Sequence, residues 1–211
     1  MLGKKLHYQN VSKTLIRNFE KRNITACYCD TKEDALEKAL SFINEGDLIS
    51  YGGSVSLNEI GLIDEIDTAK YNILSKNKAK TKEEKDKVYK DAFHADVYFM
   101  SSNAITLDGQ LVNIDGYGNR VAALIYGPKK VVLVVGMNKL TTNVDDAIRR
   151  VHNIASPPNT IRLNINTPCS KTGKCENCLT ESCICCAVVT TRYSREKDRI
   201  HVILVGEELG Y

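Results

Sequence analysis

Six of the eight cysteines of this chain fall in one stretch, Thr167–Cys186, which reads TPCSKTGKCENCLTESCICC. From Cys169 the spacing is C-x5-C-x2-C-x4-C-x-C-C. Thiols gathered this closely suit a metal centre, a cluster or a redox device. Gly173 gives the loop freedom, and Lys171 and Lys174 favour thiolate charge. One ligand set is Cys169, Cys175, Cys178 and Cys185, with Cys183 and Cys186 as alternates. An iron–sulfur cluster such as [4Fe-4S] accepts four cysteines at irregular spacing around a Cys-x-x-Cys unit. A structural zinc site prefers two regular pairs, and only Cys175–Cys178 is regular here, so zinc is the alternative. Thiol–disulfide chemistry is the third reading. Cys27 and Cys29 flank Tyr28 in a strand-like run and read as buried structural thiols.

Two further segments could bind a ligand. Tyr51-Gly52-Gly53-Ser54 joins a strand to a helix start, and such a turn aims backbone N–H groups at one point, where an anion fits. The plainer reading is a tight turn. Asn113-Ile-Asp115-Gly116-Tyr-Gly118-Asn119-Arg120 places two glycines, a carboxylate, amides and a guanidinium before another helix. Asn119 and Arg120 supply donors for a carboxylate or phosphate, with Arg120 as the clamp; the plainer reading makes Asp115 a helix cap. Asn103 stands after a third strand. Asp115 and Glu59 are the candidate proton acceptors, although Ser56–Glu59 also has the form of a capping box.

The elements that must position these residues alternate. Residues 5–22 have the spacing of an amphipathic helix, stopped at Asn23. Ile24–Tyr28 is a strand. Thr31 caps a helix reaching Asn44, and Leu48–Tyr51 is the strand before the glycines. Tyr71–Leu74 is a strand, and Thr81 caps a charged helix to His94. Asp96–Met100 is a buried strand. Asp108-Gly109 turns a hairpin between Ala104–Thr106 and Gln110–Asn113. Val121–Tyr126 is an apolar helix, and Lys130–Val135 (KVVLVV) is a strand buried on both faces. Asn143 caps a helix to Asn153. Residues 156–186 read as irregular, because Pro157, Pro158 and Pro168 break regular structure. Ala187–Tyr193 and Ile200–Val205 read as a closing pair of strands at the sheet edge. This order predicts one α/β domain over residues 1–211, with a mostly parallel sheet between helices and the Cys-rich loop at 167–186. Ligands in such folds bind beyond the carboxyl ends of the strands.

Composition narrows the function. The chain has 211 residues, 43% hydrophobic and 26% charged, with a net charge of +3. Opposite charges are interleaved, which argues against a nucleic-acid partner. The longest apolar run, Val131–Met137, is too short to span a bilayer, and the N-terminal MLGKKLHYQN lacks the apolar core of a secretion signal. These features predict a cytoplasmic protein away from the membrane, where disulfides are uncommon. An edge strand near the C-terminus would suit pairing with a second copy in a homo-oligomer.

The combination of motifs resembles the LUD-domain (lactate-utilisation, DUF162) family. The matching stretches are Tyr51–Gly61, Ser102–Thr106 with Asp108-Gly109, Val112–Val121, Tyr126–Lys130, Val135–Lys139 and Arg199–Tyr211. Within the family, the subgroup resembled carries Thr-Pro-Cys…Thr-Gly-Lys-Cys-x-x-Cys, matched at Thr167–Cys178, with a fourth cysteine at the position of Cys185. Cys183 and Cys186 are additions to that pattern. The resemblance implies the fold of ribose-5-phosphate isomerases, glucosamine-phosphate deaminases and CoA transferases. It also implies a part in oxidising lactate, or a related small carboxylate, to pyruvate, with iron–sulfur redox partner proteins and electron transfer. An oxidoreductase component is therefore expected. The competing expectation is a non-redox metabolite-binding or regulatory subunit whose loop is stapled by zinc. A phosphosugar isomerase or CoA transferase is a third, weaker expectation.

Overall fold

The computed structural model describes residues 2–68 and 70–211. Six strands form a wholly parallel sheet: β1 (Thr25–Cys29), β2 (Leu48–Tyr51), β3 (Asn72–Leu74), β4 (Val97–Met100), β7 (Lys130–Gly136) and β10 (Ile200–Val205). Their order across the sheet is β1-β10-β7-β4-β2-β3. A smaller sheet, ordered β8-β5-β6-β9, is built from β5 (Ala104–Thr106), β6 (Leu111–Asp115), β8 (Leu140–Thr141) and β9 (Ala187–Thr191). The helices are α1 (Leu2–Glu20), α2 (Lys32–Leu40), α3 (Val55–Glu59), α4 (Leu62–Ile66), α5 (Lys82–Asp91), α6 (Asn119–Ile125), α7 (Val144–Arg150), α8 (Ser156–Arg162) and α9 (Pro168–Thr172). No described helix is long and apolar enough to cross a membrane.

Strand β7 shows why the large sheet is a core. Val131, Leu133 and Val135 face α1 and α6 on one side, and Val132 and Val134 face α2, α3 and α4 on the other. With side chains alternating across a strand, burial on both faces requires a continuous apolar run. Strand β10 repeats the pattern, with Ile200, Val202 and Leu204 on one face and Ile203 and Val205 on the other. It therefore lies inside the large sheet, between β1 and β7, and does not pair with β9. The expected closing pair at one sheet edge is thus corrected. Strand β9 instead continues the Asp108-Gly109 hairpin by pairing antiparallel with β6.

Local signals held where a side chain satisfies the backbone. Asn23 leaves α1 in the left-handed region at φ 58°. Thr31 and Thr81 each form a full capping box, with Asp34 and Glu84 respectively. The box expected at Ser56–Glu59 is absent: Ser54 is the N-cap of α3, accepting from the Leu57 N–H at 3.4 Å. Ser56 is thereby released to the interior, where it is buried.

The proline segment is also corrected. Residues 144–162 run as one continuous helical path, with a wide π turn at Val151–Ala155 joining α7 to α8. Pro157 and Pro158 lack the N–H that an α-helix would direct at Asn153 and Ile154, and their rings would crowd those carbonyls. Widening the turn, with Ser156 N–H bonded to Val151 O, accommodates the missing donors without ending the helix. Pro168 likewise starts α9, at a position where its missing N–H has no intrahelical partner.

Candidate functional site

A cavity of about 570 Å³ opens beyond the carboxyl ends of β2, β4 and β7. Gly53, Ser54, Asn103, Asp115, Gly116, Asn119 and Arg120 all line it, so segments far apart in sequence converge on one space. Gly52 lies just behind the wall. A Cβ on Gly52 would meet Arg120 Cγ at 2.8 Å and the Tyr98 hydroxyl at 3.0 Å. Glycine is thus needed there to let the arginine side chain pass. The Gly52 N–H is already spent on Phe99 O at 2.9 Å.

Arg120 organises the wall. Its Nε donates to Asp115 Oδ2 at 3.1 Å, and Nη1 donates to Ser101 O and Asn113 Oδ1 at 3.0 and 2.7 Å. Nη2 donates to Asn103 Oδ1 and Ile114 O at 2.8 and 3.1 Å. A guanidinium has five N–H donors, and all five are directed at the protein. Arg120 therefore ties the ends of β4 and β6 together, where the sequence suggested an open clamp. Asn103 completes the junction by accepting from Ile114 N–H at 3.0 Å. Asp115 caps the turn before α6 through Gly118 N–H at 3.0 Å. Of the two candidate proton acceptors, Asp115 lines the cavity, whereas Glu59 sits off it and accepts from Gly210 N–H at 2.6 Å.

The cavity also holds cations that motif reading did not single out. Lys76 stands so near Gly53 that a Cβ there would meet its Nζ at 2.7 Å. Burial lowers the Lys76 pKa, and the nearby positive charges of Arg162 and Lys85 lower it further. Arg162 lines the same space. Lys139 is 4% exposed, and its Nζ donates to Ser56 Oγ at 2.8 Å and Ser101 Oγ at 3.0 Å. Burial brings its pKa down to about 7, helped by the charges of Arg150 and Arg120 and opposed by Glu59. Its signal in the sequence is positional: it follows the most apolar strand after only Gly136-Met137-Asn138.

The cysteine stretch forms one flank of this cavity, to which Cys183 and Cys186 both contribute. The Cys186 N–H donates to Asp115 O at 3.1 Å, tying the loop to the residue that closes the turn before α6. All eight cysteines are free thiols. Cys169 is buried on α9, with Thr167 Oγ1 3.2 Å from its sulfur. Cys185 lies 3.2 Å from Ser156 Oγ, just past the wide turn. Burial raises its pKa to about 11; the Ser156 hydrogen bond opposes this, and the fields of Cys183, Cys175 and Cys169 add to it. Backbone N–H groups point at two sulfurs: Asn177 at Cys175 and Cys185 at Cys183, each at 3.4 Å. At Cys183 that donor opposes burial, which on balance raises the thiol's pKa. Cys169, Cys175, Cys178 and Cys185, with Cys183 or Cys186 as alternates, offer the sulfur donors that an all-cysteine centre uses. Among the described residues, however, no three His, Cys, Asp or Glu side chains are already arranged around a metal position. Cys27 and Cys29 are far from this loop in sequence, on the edge strand β1. They are half-buried rather than fully enclosed, and pack against the core beside α2.

A second hollow of about 590 Å³ lies between the end of α6 and the segment from β9 to β10. Its buried guanidinium, Arg199, is spent on the carbonyls of Ala123, Leu124 and Pro128, where it closes the end of α6. The chemistry therefore favours the first cavity.

No curated protein matches the sequence. Among solved structures, the chain is similar to a DUF162 family protein from Deinococcus radiodurans, with 13% identity, a TM-score of 0.53, and coverage of 94% of this chain and 98% of that one. At that identity the likeness concerns the fold. The LUD-domain family model matches residues 12–205, and with nearly the whole length accounted for, the chain belongs to the LUD-domain family.

Proposed function

We propose that this protein is a lactate-utilisation-type redox component that binds a small 2-hydroxy or 2-oxo carboxylate in the cavity and carries an iron–sulfur cluster on the cysteine loop. One observation carries this reading: the loop that supplies the thiols also supplies Cys183 and Cys186 to the wall of the cation-lined cavity. Lys76 and Arg162 are placed to hold the carboxylate, because two like charges brought together in a half-enclosed space favour an anion between them. Arg120 holds the wall in shape, and Asp115 transmits that shape to the loop through Cys186. When bound, the cluster would supply one-electron transfer, and a partner protein would take the electrons onward.

The test is anaerobic purification followed by a visible spectrum, with iron, sulfide and zinc analysis, and then addition of lactate. A brown protein with about four irons per chain, reduced and so bleached when lactate is added together with its redox partner proteins, is the expected result. A colourless protein with stoichiometric zinc would overturn the redox reading and leave a metabolite-binding subunit with a stapled loop.

A further inference from the structure

We propose that Lys139 is a covalent carbonyl-capturing residue, whose side-chain nitrogen forms an imine with the C2 carbon of a 2-oxo acid bound in the cavity. This rests on the small-carboxylate reading of that cavity and adds to it a bond-forming residue.

The geometry carries the inference. Lys139 ends the short turn Met137–Lys139 directly after β7, so a rigid central strand fixes its backbone. Its nitrogen donates to Ser56 Oγ and Ser101 Oγ, and all three residues line the cavity. An uncharged amine has two N–H groups and one lone pair. With both N–H groups held by the serines, the lone pair is left for an electrophile. The groups that act on the amine are the like charges Arg150 on α7 and Arg120 on α6, and the acid Glu59 on α3. Glu59 is turned to the Gly210 N–H. Gly210 itself is at φ +57°, and a Cβ there would come 3.4 Å from the lysine nitrogen and 2.9 Å from Ser56 Oγ. The chain thus keeps space beside the amine at the cost of a left-handed residue.

The step balances without oxidant or reductant. The nitrogen lone pair adds to the carbonyl carbon, and the carbonyl oxygen takes up the proton that the nitrogen sheds. The resulting hydroxyl leaves with a second nitrogen proton as water, giving a C=N bond.

The test uses the whole protein with pyruvate and sodium cyanoborohydride, read by intact mass and peptide mapping. One reduced adduct per chain, on Lys139, is expected, and none on that peptide in Lys139→Arg. Labelling should rise from about pH 6 and level off near pH 8, because the buried amine loses its proton near pH 7, whereas surface lysines go on rising toward their ordinary pKa. Arg162→Ala keeps the amine but should raise the pyruvate concentration for half-labelling by roughly tenfold. If calorimetry shows pyruvate bound while Lys139 stays unlabelled, or if labelling scatters over surface lysines, the imine is wrong and the carboxylate reading stands. If pyruvate neither binds nor labels, both fall.

Discussion

At the scale of single residues, Arg120 ties the cavity wall together where sequence reading had made it an open clamp. Removing the guanidinium leaves Asp115, with its side chain 11% exposed, without its ion pair, and takes a donor from four further oxygens, Ser101 O, Asn113 Oδ1, Asn103 Oδ1 and Ile114 O. Arg120→Ala is therefore expected to cost about 3 kcal/mol of stability, read from urea unfolding, whereas an open clamp would have cost affinity alone. Lys139 gives the opposite result. The folded protein holds its pKa near 7, against 10.5 for an ordinary lysine. Between those values the unfolded chain keeps a proton that the native chain has lost, so native stability rises with pH across that window. Below pH 7 both states are charged and the full cost of burying the cation is felt. Lys139→Met should therefore be more stable than the natural protein by about 1–3 kcal/mol at pH 6, with the gap closing toward pH 10 in paired urea titrations. Gly53, Asn103, Asp115, Asn119 and Arg120 were legible because glycine, amide and guanidinium stand together at strand ends. Lys139 was not, since a lone lysine after a strand is usually a solvated one, and only the tertiary fold shows Ser56 and Ser101 beside it.

At the scale of elements, the sequence was readable wherever one short-range force dominates. The run KVVLVV forms a strand buried on both faces, and Thr31, Thr81 and Asn143 cap helices as their side chains allow. Misreadings arose where two local solutions competed. Ser54 and Ser56 could each cap α3, and Ser54 does so. Pro157 and Pro158 could end a helix or widen it, and packing of Val151 and Ala155 against Ala104, Val112 and Ile114 of the small sheet favours continuing it. The widened turn then brings Ser156 to Cys185 and Asn153 to the Cys175 N–H, at 3.2 and 3.3 Å. Helix and thiol loop are therefore coupled at two points. Ser156→Ala should raise the Cys185 pKa further and slow its alkylation by iodoacetamide several-fold at about pH 9, with the peptide carrying Cys185 quantified by mass spectrometry and the buried Cys169 as the internal reference.

At the scale of the whole molecule, two sheets meet at one cavity, and both are closed by the last quarter of the chain. The run IHVILV carried the mark of an interior strand, since both of its faces are apolar, but its place between β1 and β7 depends on long-range pairing that no local pattern records. That placement has a consequence for biosynthesis. The first strand, β1, has a single neighbour in the sheet, and that neighbour is β10, the final strand. A ribosome extends a chain at about 5–20 residues per second. While residues 30–199 are made, β1 must therefore wait beside α1 and α2 with its hydrogen-bonding edge unmet. Vectorial folding can assemble β2, β3, β4 and β7 as they emerge, but the seam between the first strand and the rest closes only once β10 has left the ribosome. The nascent protein thus spends that interval with an open sheet edge, a state in which a holding chaperone would be useful and aggregation costly.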